Sequence, residues 1–153
     1  MNINYFMSLA IKEAKKGHLL NEVPVGAIIV DNLTNSIISS SYNQIIFQKS
    51  PISHAEMLVI EEACMKKDSR YLVNTSIFIT LEPCAMCAAA ISEVKIDRIY
   101  FGAYDEKKGS LESIMKIYNN KNYYVPEVYG GNHEIECSNI LKSFFAEKRK
   151  IIV

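Results

Sequence analysis

The chain has 153 residues, 49% of them hydrophobic and 22% charged, a balance that predicts one globular domain over residues 1–153 with a hydrophobic core of its own. Basic and acidic side chains number 17 each, so a globally basic nucleic-acid binder is excluded and any such partner must meet a local basic patch. The longest apolar run, Val25 to Val30, is broken by Gly26 and too short to span a bilayer, and Met1 to Ala10 lacks the charged-then-apolar pattern of a secretory signal. A cytoplasmic location without membrane partners is therefore expected. In such a reducing compartment Cys64, Cys84, Cys87 and Cys137 are read as metal ligands or buried thiols before disulfides.

Tyr5, Phe6, Leu9, Ala10 and Ala14 recur at helical spacing and predict an amphipathic helix that stops at Gly17. Val25–Val30 predicts a buried strand, Asp31–Ser36 a turn, and Ile37–Tyr42 the returning strand of a hairpin. Ser53 is expected to open a helix reaching about Lys67. Ser76–Thr80 predicts a short buried strand, about Cys84 to Val94 a helix, Arg98–Phe101 a strand, and Val125–Tyr129 a fifth strand. Ser138 is expected to cap a last helix with Ile140, Leu141, Phe144 and Phe145 on its apolar side. Alternating strands and helices imply a βαβ core with a largely parallel half-sheet.

Two segments carry chemistry: His54-Ala-Glu56 and Pro83-Cys84-Ala-Met-Cys87. Cysteines three apart on one helical turn point their sulfurs the same way, which suits two thiolates on one zinc ion. A helix N-terminus and the ion both favour the thiolate. His54 supplies a neutral nitrogen from a different helix start. Catalytic zinc sites have three protein ligands and keep a fourth position for water, whose pKa falls to about 7. Glu56 need not bind the metal and can move that water's proton.

Each feature has a plainer reading. Cys-x-x-Cys alone also fits a redox pair or half a structural zinc knuckle, whose missing ligand would come from Cys64, Cys137, His18 or His133. None of these lies in a second ligand-spaced pair. Ser53-x-x-Glu56 also fits a capping box, with Glu56 bonded back to the helix start. Cys64 fits a small core residue and Cys137 an inert one. His18 and His133, in polar turn-like stretches, fit the surface.

The paired H-x-E and P-C-x-x-C pattern resembles the cytidine-deaminase-like zinc deaminases. The similarity extends over Tyr5–Lys16, Glu22–Ala27, Thr80–Cys87, Gly102–Leu111 and Leu141–Arg149. Phe144-Phe145 followed by Lys148-Arg149-Lys150 looks like the terminal helix of the tRNA-specific adenosine deaminase branch. That resemblance implies an α/β fold, three-layer α/β/α, around a five-stranded mixed sheet. It implies one Zn2+ per chain on His54, Cys84 and Cys87, and Glu56 as the catalytic proton carrier. It also implies hydrolysis of adenosine to inosine at the wobble position of a tRNA anticodon loop, on a base taken out of its stack. Asn43 and the backbone of Ala55 would orient the base, Val25 would line its pocket, and Phe145 with the basic end would meet the loop. Residue by residue, Asn43 also fits an Asx-turn, and one of Phe144 and Phe145 is expected in the core. A homodimer is implied too, with the small residues Ala88-Ala89-Ala90 allowing close helix approach, although such residues equally suit a helix against its own sheet.

Two other functions fit part of the pattern. A free-base or nucleoside deaminase acting on cytosine or guanine would keep the four site residues, but its C-terminal segment would close over a free base. A zinc-stabilised RNA-binding module would have no use for Glu56.

Overall fold

The structure, a computed structural model, describes residues 1–152, with side chains to residue 151. The elements run α1 (Ile3–Leu19), β1 (Gly26–Asp31), β2 (Ile37–Tyr42), α2 (Ala55–Lys67), β3 (Thr75–Leu81), α3 (Ala85–Glu93), β4 (Arg98–Ala103), β5 (Glu127–Tyr129) and α4 (Glu134–Ile152), with a 3-10 turn at Ile117–Asn119. The strands form one five-stranded sheet in the order β2-β1-β3-β4-β5. β1 is antiparallel to both β2 and β3, whereas β3, β4 and β5 are parallel. Four strands therefore point one way and β1 alone is reversed. This is the mixed sheet that the resemblance implied.

Period-two alternation divides the core. Ala27 and Ile29, Ile77 and Ile79, and Ile99 and Phe101 face Val59, Ile60, Ala63, Ala88 and Ile91 of α2 and α3. The alternate residues Ile28, Val30, Phe78 and Tyr100 face Phe6, Met7, Ala10 and Ile11 of α1 and Cys137 of α4. The result is a three-layer α/β/α arrangement. β3 is central and buried on both faces, which is why Ser76–Thr80 reads as a near-continuous apolar run. α1 presses directly on β1: a Cβ at Gly26 would lie 2.0 Å from the Ala10 carbonyl oxygen.

Three boundaries differ from expectation. α1 continues past Gly17 to Leu19, because that glycine is buried against the Tyr42 ring and has no turn to make. The N-cap of α2 is His54, and Ser53 instead donates its hydroxyl to Gln48 Oε1. α4 begins at Glu134, a turn before Ser138. Glu134 and Glu136 suit a first helical turn, and Cys137, Leu141 and Phe144 continue one inward-facing stripe.

Candidate active site

The parallel strands β2, β3 and β4 all end at one edge of the sheet, and the chain leaves that edge at Asn43, Glu82 and Tyr104. Such edges are where open α/β sheets place ligand sites. The reversed β1 contributes its beginning, Val25, to the same edge. A cavity of about 860 Å³ opens there, lined by Val25, Asn43, His54, Glu56, Cys84 and Phe145 among others.

His54 and Cys84 are the N-caps of α2 and α3, both in extended backbone conformation, and neither side chain caps its own helix. The side chains turn toward each other instead. His54 Nδ1 lies 3.7 Å from Cys84 Sγ and 3.5 Å from Cys87 Sγ. A tetrahedron with zinc–nitrogen and zinc–sulfur bonds of ordinary length has a nitrogen–sulfur edge of about 3.6 Å, so the donors are already spaced for the ion. Among the described residues this is the one group of metal-ligating side chains, with its donor atoms within 4.8 Å of one another. Cys64 packs against the core, and Cys137 is buried against β4 with its thiol pushed up to about 12 by burial. His18 lies within α1, paired at 3.0 Å with Glu147, and His133 precedes α4 within 3.2 Å of Asn4 Oδ1. None of them reaches the cluster as a fourth ligand.

The cluster's electrostatics also fit a cation. The Cys87 thiol donates to the Cys84 sulfur, and chiefly this bond, with His54 adding to it, holds Cys84 down to about 4 despite burial. The same bond and burial push Cys87 well up, and His54 is raised chiefly by its bond to Cys84. Two sulfurs and an imidazole share too little positive charge, which a divalent ion supplies by replacing the proton. Two helix N-termini aimed at the cluster favour thiolates there.

Glu56, on the first turn of α2, is 4% exposed yet lines the cavity. Burial raises its carboxyl to about 7, opposed by its own backbone N–H, the His54 charge and the Cys87 thiol. A divalent ion on the three ligands would pull it back down. The capping box is absent, so the carboxyl is left to face the cavity. Asn43 is 5% exposed, with its backbone N–H donating to the Val25 carbonyl. Ala55 opens α2, so no upstream helical carbonyl can accept its N–H.

Comparisons with known proteins follow the same residues. The family model for the cytidine and deoxycytidylate deaminase zinc-binding region matches residues 1–103. The tRNA-specific adenosine deaminase of Rickettsia bellii is 42% identical over 94% of this chain and 99% of its own length. That of Bacillus subtilis is 40% identical over 95% of this chain and 89% of its own. The chain belongs to the tRNA-specific adenosine deaminase family of zinc deaminases. A solved structure from work on A-to-I editing by tRNA:A34 deaminases superposes with a TM-score of 0.86 at 38% identity, covering 90% of this chain and 99% of that one. A guanine deaminase from Nitrosomonas europaea shares the fold, with a TM-score of 0.81, at 16% identity over 94% of this chain and 84% of that one.

The deaminase's α4 completes the cavity. Phe144 is buried, edge-on to His18, whereas Phe145 is 46% exposed and lines the cavity. Ser138 and Lys142 join Phe145 on that wall. Sequence reasoning covered the loop after β4, Gly102–Leu111, but assigned it no site residue, whereas Tyr104, Asp105, Lys107 and Lys108 line the cavity. It also missed Glu82, 2% exposed between β3 and Cys84. The signal was available: a carboxylate between a fully buried strand and a metal ligand must find partners.

Proposed function

We propose that this single-domain chain hydrolyses adenosine to inosine at the wobble position of a tRNA anticodon loop, releasing ammonia, in the cytoplasm. The buried Glu56 beside the His54–Cys84–Cys87 cluster, at the floor of a cavity walled by an exposed phenylalanine and lysines, is the observation that carries the reading.

Zinc, when bound, lowers the pKa of a water to about 7 and makes it a nucleophile at neutral pH. Glu56 takes the proton of that water as its oxygen adds to the ring carbon bearing the amino group. It delivers that proton to the adjacent ring nitrogen, then takes the remaining proton from the added oxygen and passes it to the departing amine, which leaves as ammonia. Its burial suits this shuttle, because desolvation makes the carboxylate a better proton acceptor than one in water. The Asn43 amide and the Ala55 N–H orient the base, and Val25 forms an apolar wall. Phe145 offers a stacking face to a splayed loop base, and Lys142 and the Lys148–Lys150 end meet phosphates.

The chain acts as a homodimer in this reading, in which the partly exposed Ala89 on α3 allows a close approach of helices. Ala88 of the same run is committed to the core, and its carbonyl accepts the Tyr118 hydroxyl. The deciding experiment incubates the protein with an anticodon stem-loop carrying a wobble adenosine and, separately, with free cytosine and guanine. Inosine in the stem-loop is expected. Ammonia from the free bases alone overturns the substrate assignment in favour of a small-molecule deaminase.

A further inference from the structure

The Glu82 carboxylate touches no other acid or base and is not a metal ligand, yet it is the most heavily bonded side chain of the pocket region. Its Oε2 accepts backbone N–H groups from Leu111 at 3.1 Å, Glu112 at 2.9 Å and Ser113 at 3.1 Å. Its Oε1 accepts the Asp105 N–H at 3.2 Å and the Ser113 hydroxyl. These donors lie in the loop that follows β4, the one bearing Asp105, Lys107 and Lys108 at the cavity mouth. The loop has little regular structure of its own; besides the Glu82 bonds, Ser110 N–H donates to the Pro83 carbonyl at 3.0 Å, the Ser110 carbonyl accepts the Ile117 N–H at 3.0 Å, and Leu111 is buried in the core. Gly109 sits against the same contact: a Cβ there would lie 2.5 Å from the Glu82 carboxyl carbon and Oε1, and equally 2.5 Å from the Asp105 carbonyl oxygen.

We infer that Glu82 is a positioning residue: its carboxylate gathers the backbone of residues 105–113 and thereby sets where Asp105, Lys107 and Lys108 stand at the pocket mouth. Glu82 is joined through Pro83 to the metal ligand Cys84, so its carboxylate, together with the Ser110–Pro83 backbone bond, fixes the metal segment and the substrate-facing loop to each other. The carboxylate is specifically needed. An amide of the same shape must place its NH2 against either the Asp105 N–H or the three N–H groups on the other oxygen, donor against donor. The loop lines the same cavity as Glu56 but offers no group to the proton transfers, so its placement acts chiefly on capture of the anticodon loop.

This inference rests on the cavity being the RNA pocket, and its test separates the two. Steady-state kinetics on a wobble-adenosine stem-loop would compare the unsubstituted zinc-loaded enzyme with Glu82→Gln, Gly109→Ala and the double variant. Folding and zinc content would be verified for each. Both single variants are expected to raise KM about tenfold or more, the scale of one lost charge-assisted hydrogen bond, with kcat changed little. The double variant should lose less than the sum of the two single losses, because both disturb the Glu82 carboxylate's contact with the loop. Gly109→Ala keeps the question answerable if Glu82→Gln folds poorly. A folded, zinc-loaded variant with unchanged KM, equal losses in kcat and KM, or additive effects would overturn the positioning role. Inactivity of the unsubstituted chain on the stem-loop would overturn the substrate reading and this role with it.

Discussion

Glu56 stands on a first helical turn where Ser53 could have drawn it into a cap, and the structure leaves it uncapped because His54 takes the N-cap place. In the proposed mechanism this carboxyl carries protons, and its removal should leave the ligands intact. Glu56→Gln is expected to bind zinc as before and to lose about 100- to 10,000-fold in turnover, measured by metal analysis and inosine formation. Substantial remaining activity would remove Glu56 from the mechanism. A second acid acts only on stability. Lys67 Nζ donates to Asp31 Oδ2 at 3.1 Å and chiefly holds the Asp31 carboxyl below its usual value, helped by the Leu33 N–H. A carboxyl depressed in the folded state stabilises fully above its unfolded pKa, and that contribution fades as pH falls through the folded pKa. The urea midpoints of the native chain and Asp31→Asn should therefore differ at neutral pH and converge in acid. A gap that persists at low pH would show that packing, not charge, accounts for it.

Adjacent phenylalanines on α4 separate stability from recognition. Phe144 is 5% exposed and braced by the His18 ring and by Lys148 over its face, while Phe145 is 46% exposed. Phe144→Ala should cost about 3–5 kcal/mol in folding. Phe145→Ala should leave the melting temperature nearly unchanged and raise KM for the stem-loop, by the roughly 1–3 kcal/mol that a stacked base contributes. Denaturation and steady-state kinetics on both variants would check the pair, and a reversed pattern would put the wrong ring in the core. The expectation that one of the two is buried came from helical periodicity. Which one is decided by how α4 docks on α1, where Phe144 meets the His18 ring and Phe145 is left facing the cavity.

At the scale of the molecule, two helices start on the metal cluster from the same edge of the sheet, so binding the ion draws α2 and α3 together. Chelation is expected to abolish deamination and lower the melting temperature, with both restored by added zinc and followed by differential scanning fluorimetry. Full activity after exhaustive chelation would sink the metal-dependent reading. Light scattering in solution would test the homodimer directly, a monomer with full activity on the stem-loop being the contrary result.

The local chemistry was legible in the chain itself. Spacing alone puts Cys84 and Cys87 on one turn, and the apolar run of β3 predicts a buried strand, because helix and strand periodicities are local properties of the backbone. Contacts between distant segments are not local. Glu82 and its donors in residues 105–113 are separated by a strand and a helix, and nothing in their spacing announces that one carboxylate holds them. The grouping of His54, Cys84 and Cys87, and the five-stranded mixed sheet, were thus read from sequence and its resemblances. The wall of the pocket, the phase of α4 and the role of Glu82 were decided only by tertiary structure. The sheet's parallel strands bring their ends to one edge, and only there do these segments meet.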